Sequence, residues 1–355
     1  LINQYGWSEA LGHDFAPHAA RGLVPGRVLV QQRGQYDIVT DAGELVAEIS
    51  GRLARDATQG GLPVVGDWVA VAVREGEGAA TIHAVLPRRT GFARKAAGQD
   101  QTMQVVAANV DLALLVAALN ADFNPRRLER YLAAARQSGA APVVLLTKAD
   151  LMDGGAEAAV VAARAVALAV PVLAVSVVTG QGMDALRALM APGVTALLVG
   201  SSGAGKSTLV NALAGSVRMA VGEIRAGDDQ GRHTTTHREL MLLPSGALIL
   251  DTPGMRELGL LDAEAGVAAT FEDIEALALT CRFRDCAHGS EPGCAVRAAL
   301  EAGTLDAGRW RNYDKLGREL AFVDRKEDRL AREAERKRWI AISKAQKAMR
   351  KKPER

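Results

Sequence analysis

The chain has no long apolar run. Its longest, Ala165 to Val175, holds 11 residues and includes Pro171, whereas a bilayer-spanning helix needs about 20. No membrane association is therefore expected. The first 30 residues lack a basic stretch followed by an apolar one, which argues against a secretory signal. Cysteine is scarce: Cys281, Cys286 and Cys294 are the whole set, and they fall within 14 residues. An odd, clustered set without a secretory signal argues against a disulfide framework and for metal ligation in a reducing cytoplasm. Internal repeats and low-complexity blocks are also missing.

Net charge is small, +2 over 355 residues, but it hides an asymmetry. Residues 325–355 carry 13 Lys and Arg against five Asp and Glu, a net of +8, which leaves the other 324 residues at −6. A basic tail on an acidic body fits a polyanionic partner, and equally a solvated charged helix. Apolar residues at 48% and charged residues at 24% suit ordinary packed cores. At roughly 100–200 residues per domain, the length predicts two or three domains.

Residues 1–23, with scattered polar, Gly and Pro residues, read as a flexible N-terminal arm. Next come five short β-type runs, RVLVQQ, YDIVTD, ELVAEISG, DWVAVAVR and ATIHAVL, separated by turn-forming segments. They predict a small OB-like β-barrel over 24–95. From about residue 105 buried strands alternate with helices. The strands are 111–119, 141–150, 170–177, 195–200 and 247–254, and the helices 125–138, 155–169, 182–190 and 206–214. This rhythm predicts a doubly wound α/β domain over 103–265. Residues 266–355 read as a helical domain that encloses the cysteines and ends in a basic helix.

Gly200-Ser201-Ser202-Gly203-Ala204-Gly205-Lys206-Ser207, followed by Thr208, matches G-x-x-x-x-G-K-[ST] in full, after an apolar strand and at the start of a helix. Small residues let backbone N–H groups wrap a phosphate, and the helix N-terminus adds partial positive charge. Lys206 would bridge the β- and γ-phosphates, and the Ser207 hydroxyl would ligate Mg²⁺. Thr147-Lys148-Ala149-Asp150 resembles the NKxD guanine motif and ends a buried strand. A carboxylate at Asp150 can accept from guanine N1–H and N2–H₂ together, a donor pair that adenine lacks. Thr in place of the usual Asn is expected to remove one tether to the phosphate loop. Asp251-Thr252-Pro253-Gly254 resembles DxxG, with Asp251 near Mg²⁺ and Gly254 at the γ-phosphate. Ser176 to Gly180, SVVTG, resembles the loop that backs the base, and one of Thr234, Thr235 and Thr236 would be the switch threonine.

The order of these motifs is unusual. TKAD and SVVTG precede the phosphate loop, so the GTPase motif set is complete but circularly permuted. Parallel strands tolerate this, because the site depends on where strand ends sit and not on chain order. The chain that leaves DxxG then runs into the cysteine-containing domain, and a shift at Gly254 would be transmitted there covalently. In that domain Cys281-x₄-Cys286-x-His288-x₅-Cys294 offers three thiolates and an imidazole, a set suited to one tetrahedral structural Zn²⁺. Arg88, Arg89, Arg94 and Lys95 flank Phe92, a composition that suits RNA contacts and equally a polar linker.

Together these segments resemble the ribosome small-subunit-dependent GTPase A family, RsgA or YjeQ. The resemblance rests on PVVGDWV, RRTGFARK, TKAD, GSSGAGKST, GRHTTT, DTPGM, CRFRDCAHGSEPGCAV and RWRNYDKL and spans nearly the whole chain. It implies an OB fold, a guanine-nucleotide domain and a zinc domain. It also implies GTP hydrolysis stimulated by the 30S subunit, binding to its 16S rRNA, and a part in its late maturation, by a cytoplasmic monomer. Met255 stands where many GTPases carry a water-orienting Gln. His233 is the candidate for that task, matching the switch I histidine of such family members. A second class stays open: an RNA-binding adaptor that uses GTP as a switch with negligible turnover.

Overall fold

The computed structural model describes the chain except for residues 33, 57–60, 75, 96–102, 120–122, 153–154, 218–237, 252–263, 323–324 and 326–355. His233, Thr234 to Thr236, Gly254, Met255 and nearly all of the basic tail lie outside the described residues.

The N-terminal segment is not the free arm the sequence suggested. A 3-10 turn, Ile2–Tyr5, leads into α1 (Glu9–Ala19), whose first turn is capped by Ser8 Oγ accepting from the Leu11 N–H. Ile2, Tyr5, Leu11 and Phe15 are buried. Trp7 sits edge-on to Phe15 and to Trp68, with ring centroids 5.9 and 4.9 Å apart. The four-residue spacing of Leu11 and Phe15 gives α1 a narrow apolar stripe, and the polar residues around it obscure the pattern.

Five strands follow: β1 (Val24–Gln31), β2 (Gln35–Thr40), β3 (Gly43–Ile49), β4 (Trp68–Arg74) and β5 (Ala79–Val85), with α2 (Gly51–Asp56) after β3. Pairing runs β1-β2-β3-β5-β4 and back to β1, with β3 and β5 parallel and the other pairs antiparallel. The result is a closed barrel, which leaves no edge along that cycle. The expected limit at residue 95 is too long. β6 (Gly91–Lys95) leaves the barrel and forms a separate ribbon with β7 (Met103–Ala108).

The α/β region contains β8 (Leu112–Ala118), α3 (Pro125–Ser138), β9 (Ala141–Thr147), α4 (Glu157–Ala167), β10 (Val172–Val175), α5 (Met183–Leu189), β11 (Thr195–Val199), α6 (Lys206–Ala214), β12 (Arg238–Leu242) and β13 (Leu248–Asp251). The strand order is β10-β9-β8-β11-β13-β12, parallel except for β12. α3 and α4 cover one face and α5 and α6 the other. Burial on both faces explains the near-continuous apolar runs of these strands.

β12 also pairs with β1, so the α/β sheet runs on into the barrel. Glu239 of β12 lies opposite Val30 of β1 on one side and opposite Asp251 of β13 on the other. One sheet row therefore links the barrel to the DxxG aspartate.

Beyond Asp251 come α7 (Glu264–Thr270), α8 (Glu272–Leu279), α9 (Ala295–Glu301) and a helix over 307–322. Phe271, Ile274, Val296 and Leu316 share a core with Leu128 and Leu132 of α3. A buried polar knot fastens this contact. Glu129 of α3 accepts from Arg126 at 2.7 Å, Arg309 at 2.9 Å and Asn312 at 2.6 Å. Arg309 also grips Asp273 and the Thr270 carbonyl and lies 4.8 Å above the Phe271 ring. Burial pushes the Glu129 carboxyl above its usual range, against the pull of Asn312, Arg126 and Arg309.

Candidate nucleotide site and metal centre

In a parallel sheet, ligands bind outside the carboxyl ends of the strands, and here four motif segments meet at one such edge. TKAD starts at the last residue of β9, SVVTG follows β10, Gly200–Ser207 joins β11 to α6, and Asp251 is the last residue of β13. Chain order has no bearing on this edge, and the permuted motifs come together on it.

The phosphate loop is held from behind. A Cβ on Gly200 would lie 2.3 Å from the Val116 carbonyl oxygen, so only glycine fits where the loop crosses β8. Lys206 Nζ donates to the Gly200 and Ser201 carbonyls, both at 2.7 Å. Ala204 is buried and anchors the loop in the apolar core. Gly205 caps α6 with φ +87°, and Ser207 and Thr208 lie in the first turn of that helix.

One expectation at this site is overturned. Thr147, 4% exposed, donates its Oγ1 hydrogen to the Ala204 carbonyl at 2.7 Å. Threonine therefore keeps the tether that its replacement of Asn was expected to remove. A hydroxyl at the end of β9 thus lies in contact with the loop, the Cβ position of Gly205 being 3.6 Å from Thr147 Oγ1. Beyond Thr147, Lys148 is left-handed at φ +60°, Ala149 is buried and Asp150 is exposed. This turn puts the carboxylate at the rim. Ser176 is 1% exposed and closes the base-backing loop: its N–H donates to the Gln181 carbonyl and its Oγ accepts from the Thr179 N–H. Asp251 is placed by its backbone pairing with Glu239.

The reading of Arg88 and Phe92 as RNA contacts does not survive. Phe92 is 1% exposed and belongs to the core. Arg88 is spent on the buried Asp67 carboxylate, at 2.7 and 2.8 Å, and on the Leu62 carbonyl. A ring and a guanidinium so engaged are not available to stack on a base. Sequence composition does not reveal that Asp67, 21 positions upstream, claims the arginine.

Cys281, Cys286, His288 and Cys294 converge as expected. Their ligand atoms all lie within 4.8 Å of one another, and the cluster could hold a metal ion. His288 Nδ1 is 3.6 Å from Cys281 Sγ and 3.5 Å from Cys294 Sγ. His288 takes a left-handed backbone at φ +58°, and Trp310 stands edge-on to its ring, 5.5 Å away. Burial disfavours a thiolate at Cys281, but backbone N–H groups of Ala295 and Val296 and the neighbouring thiols outweigh it and hold the pKa below the ordinary value. Partial burial pushes Cys286 up to about 11, with Cys294 and Cys281 adding to the rise. Three thiolates so close repel, and a bound cation would offset that repulsion.

A family model described as RsgA GTPase matches residues 85–261. A protein of Opitutus terrae named small ribosomal subunit biogenesis GTPase RsgA is 48% identical, over 98% of this chain and 97% of its own length. The chain belongs to the RsgA GTPase family. A Streptomyces coelicolor protein of the same name is 46% identical over 97% of this chain and 94% of its own. Among solved structures, YjeQ from Thermotoga maritima matches with a TM-score of 0.64 and 25% identity, covering 84% of this chain and 99% of that one. YloQ, titled a circularly permuted GTPase, matches with a TM-score of 0.60 and 25% identity, over 86% and 96%. The RsgA fold thus accounts for the permuted motif order, the closed barrel and the Cys/His cluster together. As a GTPase, the chain would use Mg²⁺ with its nucleotide.

Proposed function

We propose that this RsgA family member binds the 30S ribosomal subunit and hydrolyses GTP to GDP and phosphate during late maturation of that subunit. The observation that carries the reading is the convergence of TKAD, SVVTG, the phosphate loop and Asp251 on one sheet edge, with Thr147 bonded to Ala204. Relatives that match over nearly the whole chain are named for small-subunit biogenesis. In this scheme Asp150 accepts from the guanine edge, with Lys148 along the base. Backbone N–H groups of Gly203 to Lys206 hold the phosphates, and Lys206 neutralises charge as the γ-phosphate leaves. Ser207, Asp251 and one of Thr234 to Thr236 hold Mg²⁺, which screens the phosphate charge. His233 orients the attacking water, since Met255 has no polar group to do so.

Cys281, Cys286, His288 and Cys294 hold one structural Zn²⁺ in this reading. Tetrahedral sulfur and nitrogen ligands of zinc lie about 3.6 Å apart, a separation that the Cys281–His288 and Cys294–His288 distances of 3.6 and 3.5 Å match. The protein acts as a cytoplasmic monomer, with 16S rRNA phosphates among its contacts. Among the described residues no helix is long and apolar enough to cross a membrane. The test is GTP turnover with and without purified 30S subunits. Strong stimulation supports the proposal; nucleotide-dependent binding without turnover would instead make the chain an RNA-binding adaptor.

A further inference from the structure

We propose that Arg27 is the pin that couples the barrel to the nucleotide domain, so that a ligand bound in the GTPase site also stabilises the barrel. Arg27 lies in β1, yet it is 1% exposed and its side-chain hydrogen bonds leave the barrel altogether. One terminal nitrogen donates to the Tyr5 carbonyl of the N-terminal segment. The other donates to the Asn109 carbonyl at 3.2 Å and to Thr195 Oγ1 at 2.8 Å. Thr195 opens β11, the strand that ends at the phosphate loop. The guanidinium stacks 5.2 Å from the Trp68 ring of β4, and Trp68 in turn packs on Trp7.

A buried cation is costly unless its donors are used. Among the described residues no carboxylate lies within ion-pair distance of this one; its two terminal nitrogens are met by two carbonyls and a hydroxyl from three separate segments, while the buried Nε has no partner there. The planar fork suits that task, because one rigid group fixes several acceptors at once. Asn109 repeats the link in the other direction. Its side-chain amide donates to the Gly66 carbonyl in the barrel loop and accepts from the Arg89 N–H. With the carboxyl end of β1 also paired to β12, the barrel is held both at the middle and at the end of one strand. Local stability units follow such shared contacts. Removing the pin should therefore loosen the barrel from the nucleotide domain, with the β1–β12 pairing and the Asn109 bond to Gly66 left as the remaining links.

The test is hydrogen exchange of β2, β3 and β5 amides in the full chain, with and without GDP. A segment that opens only with the nucleotide site exchanges about a hundredfold more slowly when GDP stands at 100 times its Kd. Wild type should show slowing of that order in the barrel as well as in β9 and β11. In Arg27→Met, which keeps the bulk and loses the donors, β9 and β11 should still slow about a hundredfold, and the barrel about tenfold or less. Thr195→Val removes one acceptor at the amino end of β11, remote from the phosphate loop, and should give an intermediate barrel response if Arg27→Met fails to fold. Barrel amides in wild type that ignore GDP would overturn the proposal. So would an unchanged barrel response in whichever of the two variants folds. No ribosome is needed, so the outcome does not depend on the proposed role of the chain.

Discussion

Thr147→Val should weaken GDP binding much more than GMP binding. The substitution keeps the shape of the side chain and removes only the hydroxyl hydrogen bonded to Ala204 at 2.7 Å. In a trans peptide the C=O and the next N–H point in opposite directions. Holding the Ala204 carbonyl against β9 therefore aims the Gly205 N–H away from the core, to the side where the phosphate loop works. The flanking Gly203 and Gly205 have φ of +72° and +87°, and glycine gives that peptide freedom to turn once released. An unsatisfied buried acceptor costs about 1–3 kcal/mol. If the peptide turns to avoid that cost, the loss appears as a phosphate contact no longer made. GDP affinity should then fall about 30-fold, the middle of the roughly 5- to 150-fold span that this energy covers. GMP has no β-phosphate and should stay within about threefold, because the base contacts proposed for Asp150 are untouched. Thr147→Ser keeps the donor and should bind GDP like wild type. Titration of both nucleotides against the three proteins decides the matter. GDP affinity within twofold of wild type in Thr147→Val would refute the reasoning, as would an equal loss for GDP and GMP.

Asp150→Asn should weaken GTP by about tenfold or more and improve binding of xanthosine triphosphate, because one acceptor becomes a donor suited to a C2 carbonyl; competition binding reads both. Cys286→Ser should lower the zinc content of the purified protein and loosen residues 281–301 to proteolysis, while nucleotide affinity stays near wild type; undiminished zinc would count against the site. His233→Ala should retain GTP affinity and lose about 10²–10⁴-fold of 30S-stimulated turnover. A stimulated rate within twofold of wild type would move the catalytic task elsewhere in residues 231–236 or to the ribosome.

Elements with strong local signals were legible in the sequence. α3 spans 125–138 as read, because Asn124 caps it, accepting from the Arg126 N–H, and Gly139 stops it at φ +83°. The parallel strands announced themselves by burial on both faces. What stayed hidden depends on partners distant in sequence. β7 and β12 are five or six residues long and form through pairing with β6, β13 and β1. α1 buries only Leu11 and Phe15, too little for a composition-based reading to separate from a polar arm. The Cys/His cluster was legible, since four residues of metal-ligating chemistry within 14 positions need only a turn to meet. The Thr147 tether was not, because the sequence shows a change of residue type but not that the hydroxyl still reaches the loop.

The motif order suggested that a shift at the DxxG segment would pass along the chain into the cysteine-containing domain. The structure complicates that route. The C-terminal helices are fastened to α3 by Glu129, Arg309, Asp273 and Asn312. Breaking a buried pair of this kind costs about 3–5 kcal/mol, a large fraction of the stability of an ordinary domain. A ligand shifts an equilibrium only by its differential affinity for the two states, so swinging that region away from α3 would consume much of what a single phosphate contact supplies. The row Val30–Glu239–Asp251 asks for less. Strands sit about 4.8 Å apart, so a displacement at the end of β13 meets β1 after two ladder steps, through the exposed Glu239. The barrel is thus the cheaper receiver of a change at Asp251, and by linkage a partner bound to the barrel acts back on the nucleotide edge with equal coupling.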